Sequence, residues 1–169
     1  MNSLKNISIR GRMAYAICLF ERLLLHYKCN KQDWIGLLEK LWAYTSIEYL
    51  DDWMYEFAEW LPDSILEDSL DDFEFITKEE YEHLYRLYNK SCLEIRLFIK
   101  IIFELGSVDL YSKLTDNSPN TLKKLEEAIN IFKANKINII SIEPFRKYSF
   151  SERNGWGERF DGRSLSIIL

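Results

Sequence analysis

Two pairs of adjacent aspartates, Asp51-Asp52 and Asp71-Asp72, and one Glu80-x-x-His83 pair are the residues of this chain whose types and spacing could do chemistry. Clustered carboxylate oxygens suit a hard divalent cation, and two facing carboxyls can divide general acid and general base work in a hydrolase. A Glu-x-x-His pair belongs to carboxylate-bridged metal bundles, but such a site needs a second pair and two further glutamates. The other histidine, His26, is not so placed. A solvated helix face is therefore expected for His83, and a helix end beside Lys28 for His26. The chain has no Asp-x-Asp-x-Asp-Gly loop, phosphate-cradling glycine run, Gly-x-Ser-x-Gly elbow or His-Glu-x-x-His pair. Acids this abundant meet by coincidence, so a carboxylate-based metal-dependent hydrolase is the alternative reading. The main expectation is a protein with no catalytic, cofactor-binding or metal-ligating residue.

The distribution of charge is more specific than any of these pairs. Residues 48–82 hold Glu48, Asp51, Asp52, Glu56, Glu59, Asp63, Glu67, Asp68, Asp71, Asp72, Glu74, Glu79, Glu80 and Glu82 against the single base Lys78. The chain has 27 acids and 22 bases, so this segment is net −13, the remainder is net +8, and the total is only −5. So concentrated a field costs stability by self-repulsion, and is useful for attracting a basic partner or repelling nucleic acid.

A length of 169 residues with 47% hydrophobic and 15% aromatic content fits one domain, residues 1–169, with a sizeable core. The acidic segment carries Trp53, Phe57, Trp60, Phe73 and Tyr81 among its carboxylates, unlike disordered acidic tails, and is expected to fold. The N-terminus lacks the regions of a signal peptide, and the apolar stretch Leu97 to Leu105 is interrupted by Lys100 and Glu104, so an unexported, cytoplasmic protein without a membrane partner is expected. Cys18, Cys29 and Cys92 are odd in number and show no metal-type spacing; reduced, mostly buried thiols are expected.

The spacing predicts a nearly all-α domain of six to eight helices. Met13, Ala16, Ile17, Phe20, Leu23, Leu24 and Tyr27 form one helical stripe from about Ile9, and Trp34, Leu37, Leu38, Leu41 and Trp42 form a second. On a third helix, Leu50, Trp53, Phe57, Trp60 and Leu61 share one side, while Glu48, Asp52, Glu56 and Glu59 share the other; Pro62 is expected to end it. Thr77 with Glu80 has the form of a capping box. Ser91 is a candidate start for the apolar helix Leu93 to Leu105, expected to be central and to stop at Gly106. Ser118-Pro119 signals another helix through Leu122, Leu125, Ile129 and Phe132. Beyond Lys136, isoleucines followed by Pro144 and glycines 155, 157 and 162 predict a packed irregular segment with a short β-hairpin.

A charge run on a helix is usually a solvated face. Here no lysine or arginine is interleaved with the carboxylates, although like charges at i and i+4 destabilise by roughly 0.2–0.5 kcal/mol per pair and a solubilising face normally mixes signs. A partner-binding surface is therefore expected at Asp51, Asp52, Tyr55, Glu56, Glu59, Asp63, Glu67, Asp68, Asp71 and Asp72, with Tyr55 as aromatic anchor. The basic residues are dispersed. Arg153, Arg159 and Arg163 beside Phe150, Trp156 and Phe160 are the one candidate for direct nucleic-acid contact, and ion pairing of that segment to the acidic half accounts for them at least as well.

Four strings carry a resemblance: Ile9-Arg10-Gly11-Arg12-Met13-Ala14-Tyr15-Ala16, Glu48-Tyr49-Leu50-Asp51-Asp52-Trp53, Asp116-Asn117-Ser118-Pro119-Asn120-Thr121-Leu122, and Gly155-Trp156-Gly157-Glu158-Arg159-Phe160-Asp161-Gly162. Over nearly its whole length the chain resembles the small, mostly helical immunity proteins encoded beside bacterial polymorphic or contact-dependent toxins. The resemblance implies a cytosolic antitoxin that binds a cognate toxin domain stoichiometrically, with no catalytic residue, no cofactor and no site residue carried over. Many such toxins are nucleases with basic clefts, to which an acidic surface is complementary. A nucleic-acid-mimicking inhibitor of a DNA-binding protein shares that surface and is the further alternative.

Overall fold

In the computed structural model, which describes residues 4–169, seven α-helices follow one another: α1 (Ile9–His26), α2 (Ile35–Ala43), α3 (Leu50–Ala58), α4 (Pro62–Glu67), α5 (Lys78–Lys90), α6 (Leu93–Ser107) and α7 (Pro119–Ala134). Short 3-10 turns link them, and no strand occurs among the described residues. No helix there is long and apolar enough to cross a membrane.

The central helix is α1, not α6. Fifteen of its eighteen residues are buried, against seven of fifteen in α6, where Leu93 and Leu97 face outward. Counting apolar residues hid this, because α1 carries Arg10, Arg12 and Glu21 into the interior. Helices α6 and α7 pack on α1 and on each other, α2 lies on α1, and α3 and α4 lie on α6. Gly106 does not stop α6 but lies within it: a Cβ there would sit 3.0 Å from the rings of Trp53 and Tyr44, so it permits α3 to approach.

On α3 the expected division holds. Trp53 and Phe57 are buried and stacked with ring centroids 4.9 Å apart, and Trp53 meets Tyr44 edge-on at 4.8 Å. Burial of each such ring stabilises by roughly 1.5–3 kcal/mol, enough to offset a row of uncompensated acids on the other side. The helix ends at Ala58, and Pro62 instead opens α4 at its first position, where the missing N–H is harmless. Thr77 and Glu80 form the capping box of α5, while Ser91 ends α5 and Cys92 precedes α6. Ser118 caps α7 and Pro119 is its first residue.

The C-terminal hairpin is not formed. Residues 143–145, 152–155 and 162–165 make 3-10 turns, and the one β-bridge among the described residues joins Ile7 to Ser149. The backbone of this segment bonds elsewhere: Ser8 N–H donates to Tyr148 O, Phe150 N–H to Asn6 O, Arg10 N–H to Trp156 O and Phe160 N–H to Thr45 O, at 2.8–3.0 Å. Gly157, at φ +87°, passes over the start of α1, where a Cβ would lie 2.6 Å from that of Ser8, the helix cap. The buried Glu21 carboxylate secures the tail, accepting from Ser166 Oγ at 2.6 Å, Ile167 N at 2.7 Å and Trp42 Nε1 at 2.9 Å. All three cysteines are free; Cys18 is buried, with its thiol pushed up to about 12 chiefly by desolvation, whereas Cys29 and Cys92 are only half-buried.

Candidate functional site

The acidic segment folds onto α3, α4 and the start of α5, and its carboxylates fall into two groups. Four of the expected interface acids are engaged within the fold. Glu56 pairs with Lys40 of α2 at 2.9 Å, and Asp63 pairs with Lys100 of α6 at 2.8 Å. Glu59 accepts the backbone N–H groups of Glu74, Phe75 and Ile76 at 2.6, 2.7 and 2.9 Å, so it holds the 73–76 loop in place. Asp72 accepts from Ser69 N and Oγ at 3.1 and 2.8 Å, which lowers its pKa from the ordinary carboxylate value. The cations absent from the segment's own sequence are thus partly supplied by helices on either side.

Asp51, Asp52, Glu67, Asp68 and Asp71 are exposed, and among the described residues their carboxylates have no hydrogen-bond or ion-pair partner. The first two lie in the first turn of α3, where the helix dipole favours negative charge. The two aspartate pairs remain on separate elements, and no three His, Cys, Asp or Glu side chains of the described residues gather as a metal site. Glu80 is committed to the Thr77 cap, and His83 is exposed with Nε2 2.7 Å from Asp33 O.

The expected anchor Tyr55 is 56% exposed, and the hydroxyl of Tyr111 donates to its hydroxyl at 3.3 Å. Tyr111, on the turn after α6, is 73% exposed, and its pKa is pushed up to about 12 by that bond and then by desolvation, with a lesser contribution from Asp51. Beside this pair opens a cleft of about 550 Å³. Glu48, Tyr49, Leu50 and Asp51 line one wall, Leu110 and Tyr111 the second, Arg153, Trp156, Gly157 and Arg159 the third, and Arg10 contributes from beneath.

Three of the four strings noted in the sequence converge on this cleft, which the reading of helical faces missed. The strings were the available signal; the turns that bring them together leave no periodic trace. Arg159 pairs with Glu48 at 3.1 Å and so pins the glycine-rich segment onto the acidic half, whereas Arg153 pairs with Glu158 at 3.0 Å inside that segment and does not. Arg10, 4% exposed, donates from its terminal nitrogens to the carbonyls of Tyr44 and Ile47 just past α2, where a cation is favoured. Burial lowers its pKa. The fourth string is held from the core by Arg12, which reaches the start of α7. Comparison with protein-family models, curated proteins and solved structures finds no match, so these arrangements alone carry the functional reading.

Proposed function

We propose that this chain is an immunity protein: an antitoxin that binds a cognate toxin domain, a nuclease with a basic substrate cleft, and neutralises it stoichiometrically in the cytoplasm. The observation that carries this reading is the set of exposed, unpartnered carboxylates at Asp51, Asp52, Glu67, Asp68 and Asp71 beside the exposed ring of Tyr55. Acids that no hydrogen bond or ion pair of the fold engages, on a segment already strained by like charge, are a cost that a basic partner relieves. Long-range attraction accelerates encounter and rejects acidic competitors, while a partly desolvated tyrosine slows release. A row of carboxylates presented to a nuclease occupies the place of substrate phosphates. The reading assigns no catalytic role to any residue.

The test is affinity capture with tagged protein from its own host lysate, at low and moderate salt, with mass spectrometry of what remains bound. One basic toxin-domain protein, retained in near-equal amount at moderate salt and inactive while bound, supports the reading. Recovery of nothing, or only of abundant basic proteins that wash off at moderate salt, would sink it.

A further inference from the structure

We infer that Cys29 and Cys92 are a latent disulfide pair: an oxidant of the low-molecular-weight disulfide class, such as oxidised glutathione, joins them and clasps the end of α1 to the start of α6. The clasp lies outside the immunity reading and requires nothing of it. Helices α1 and α6 pack on each other, with Met13 beside Gly106 and Phe20 stacked on Phe98 at 5.8 Å between ring centroids. They therefore run antiparallel, and Tyr27, which follows Phe20 by two turns on the same face, comes level with the start of α6.

The caps bring both thiols to that junction. Lys28 N–H donates to Leu25 O at 3.1 Å and Cys29 N–H to Leu24 O at 3.0 Å, with Lys28 at φ +56°, a pattern that folds the chain back and returns Cys29 to the side of the last turn of α1. Cys92 is the N-cap of α6, yet its side chain caps nothing. Each is half-buried against the core, and the charge of a Cys92 thiolate acts on both Tyr27 and Cys29, raising their pKa values after the larger effect of desolvation. Cys18, by contrast, is buried on the opposite side of α1 from Phe20, facing Leu165 O at 3.6 Å.

Burial keeps Cys29 protonated, so it reacts second. The Cys92 thiolate attacks one sulfur of the glutathione disulfide and expels the other half as a thiolate; the Cys29 thiolate then attacks Cys92 Sγ and expels the second half. Two electrons pass from the cysteines to glutathione, and the cysteine protons end on the two glutathione thiols. The closed loop, residues 29–92, encloses α2 to α5 and the whole acidic segment, and a cross-link of that span stabilises chiefly by restricting the unfolded chain.

Prolonged exposure of the folded protein to oxidised glutathione, followed by denaturation, alkylation and mass spectrometry, tests the clasp. Expected is a monomer lighter by two hydrogens before alkylation, with Cys18 the single alkylated thiol, a peptide joining Cys29 to Cys92, and a melting temperature raised by about 5–10 °C that dithiothreitol returns to its starting value. Cys18→Ser should keep the bond and the shift. Cys29→Ser should abolish both and leave a glutathione adduct at Cys92. Three alkylated thiols, separate adducts on Cys29 and Cys92, a bond between two chains, or a cross-linked protein that melts no higher than the reduced one would overturn the proposal.

Discussion

Arg12 Nη1 donates to Thr121 Oγ1 at 2.6 Å, joining the first turn of the central helix to a position 109 residues later in the chain. The same fully buried guanidinium donates to Ser118 O at 3.2 Å, Leu4 O at 3.2 Å and Lys5 O at 2.9 Å, and lies 5.0 Å from the centre of the Phe150 ring. Nearby, Asp109 accepts from Ser118 Oγ at 2.5 Å and from Asn120 Nδ2 at 2.8 Å. Arg12 thus ties the N-terminal segment to the start of α7, and Ser118 and Asn120 tie that start through Asp109 to the 108–112 turn that carries Tyr111.

Loss of that guanidinium leaves several buried acceptors without donors and removes a buried cation whose field acts on Asp109. Arg12→Ala should therefore cost about 3–5 kcal/mol and lower the melting temperature by roughly 10 °C. Arg12→Lys should recover only a minor part, because one ammonium cannot reach acceptors fanned around a planar fork. Thermal unfolding by circular dichroism decides; a shift of only about 2 °C for the alanine variant would show that the network is dispensable.

Alkaline pH should unfold the protein through its buried tyrosines. Tyr15, Tyr44 and Tyr88 donate to the carbonyls of Ile140, Gly106 and Trp60, and burial raises all three pKa values, that of Tyr15 to about 12. The folded state keeps these protons while the unfolded chain loses them near the ordinary value of 10.0. The unfolded state then binds fewer protons, and stability falls as pH rises. Their contribution is complete below about pH 10 and falls by about 1.4 kcal/mol per pH unit per group above it. Absorbance at 295 nm should show these three ionising together with loss of helical ellipticity; their ionisation in the intact fold would refute the assignment.

Helix existence and inner faces were legible from periodicity, as α1, α3 and α7 show, and the Thr77 and Ser118 caps were legible from local residue type. The identity of the central helix was not. Arg10, Arg12 and Glu21 read as surface residues until the carbonyls and amides that satisfy them are seen, and those come from residues far away in sequence. The cleft was illegible for the same reason: Arg10, Asp51, Tyr111 and Trp156 meet only through turns without period. Likewise the exposed acids could be listed but not sorted, since Lys40 and Lys100 approach Glu56 and Asp63 from other helices.

Glu59 separates a structural acid from a recognition acid. Its carboxylate takes three consecutive backbone N–H groups, so Glu59→Ala should cost about 1–3 kcal/mol and raise amide exchange at residues 74–76 by at least about tenfold. Glu59→Gln, which keeps the shape but not the charge, should fall between. Unchanged exchange at those three amides would return Glu59 to the recognition surface.

Reversal of the unpartnered acids should act in the opposite way, on association and not on folding. The variant Asp52→Lys/Glu67→Lys/Asp68→Lys/Asp71→Lys removes no hydrogen bond or ion pair of those side chains, and the self-repulsion it lowers in a segment of net −13 offsets the helix-dipole stabilisation lost at Asp52, so its melting temperature should match that of the parent within about 3 °C. Its association rate with the toxin domain should fall about 10- to 100-fold at low ionic strength, and the two proteins should converge as salt screens the field. Glu56→Lys and Asp63→Lys are the matched controls: each breaks a partly exposed ion pair worth at most about 1 kcal/mol. If the acidic face is the encounter surface, the quadruple variant loses rate without losing stability, a combination that a merely solvated face cannot produce.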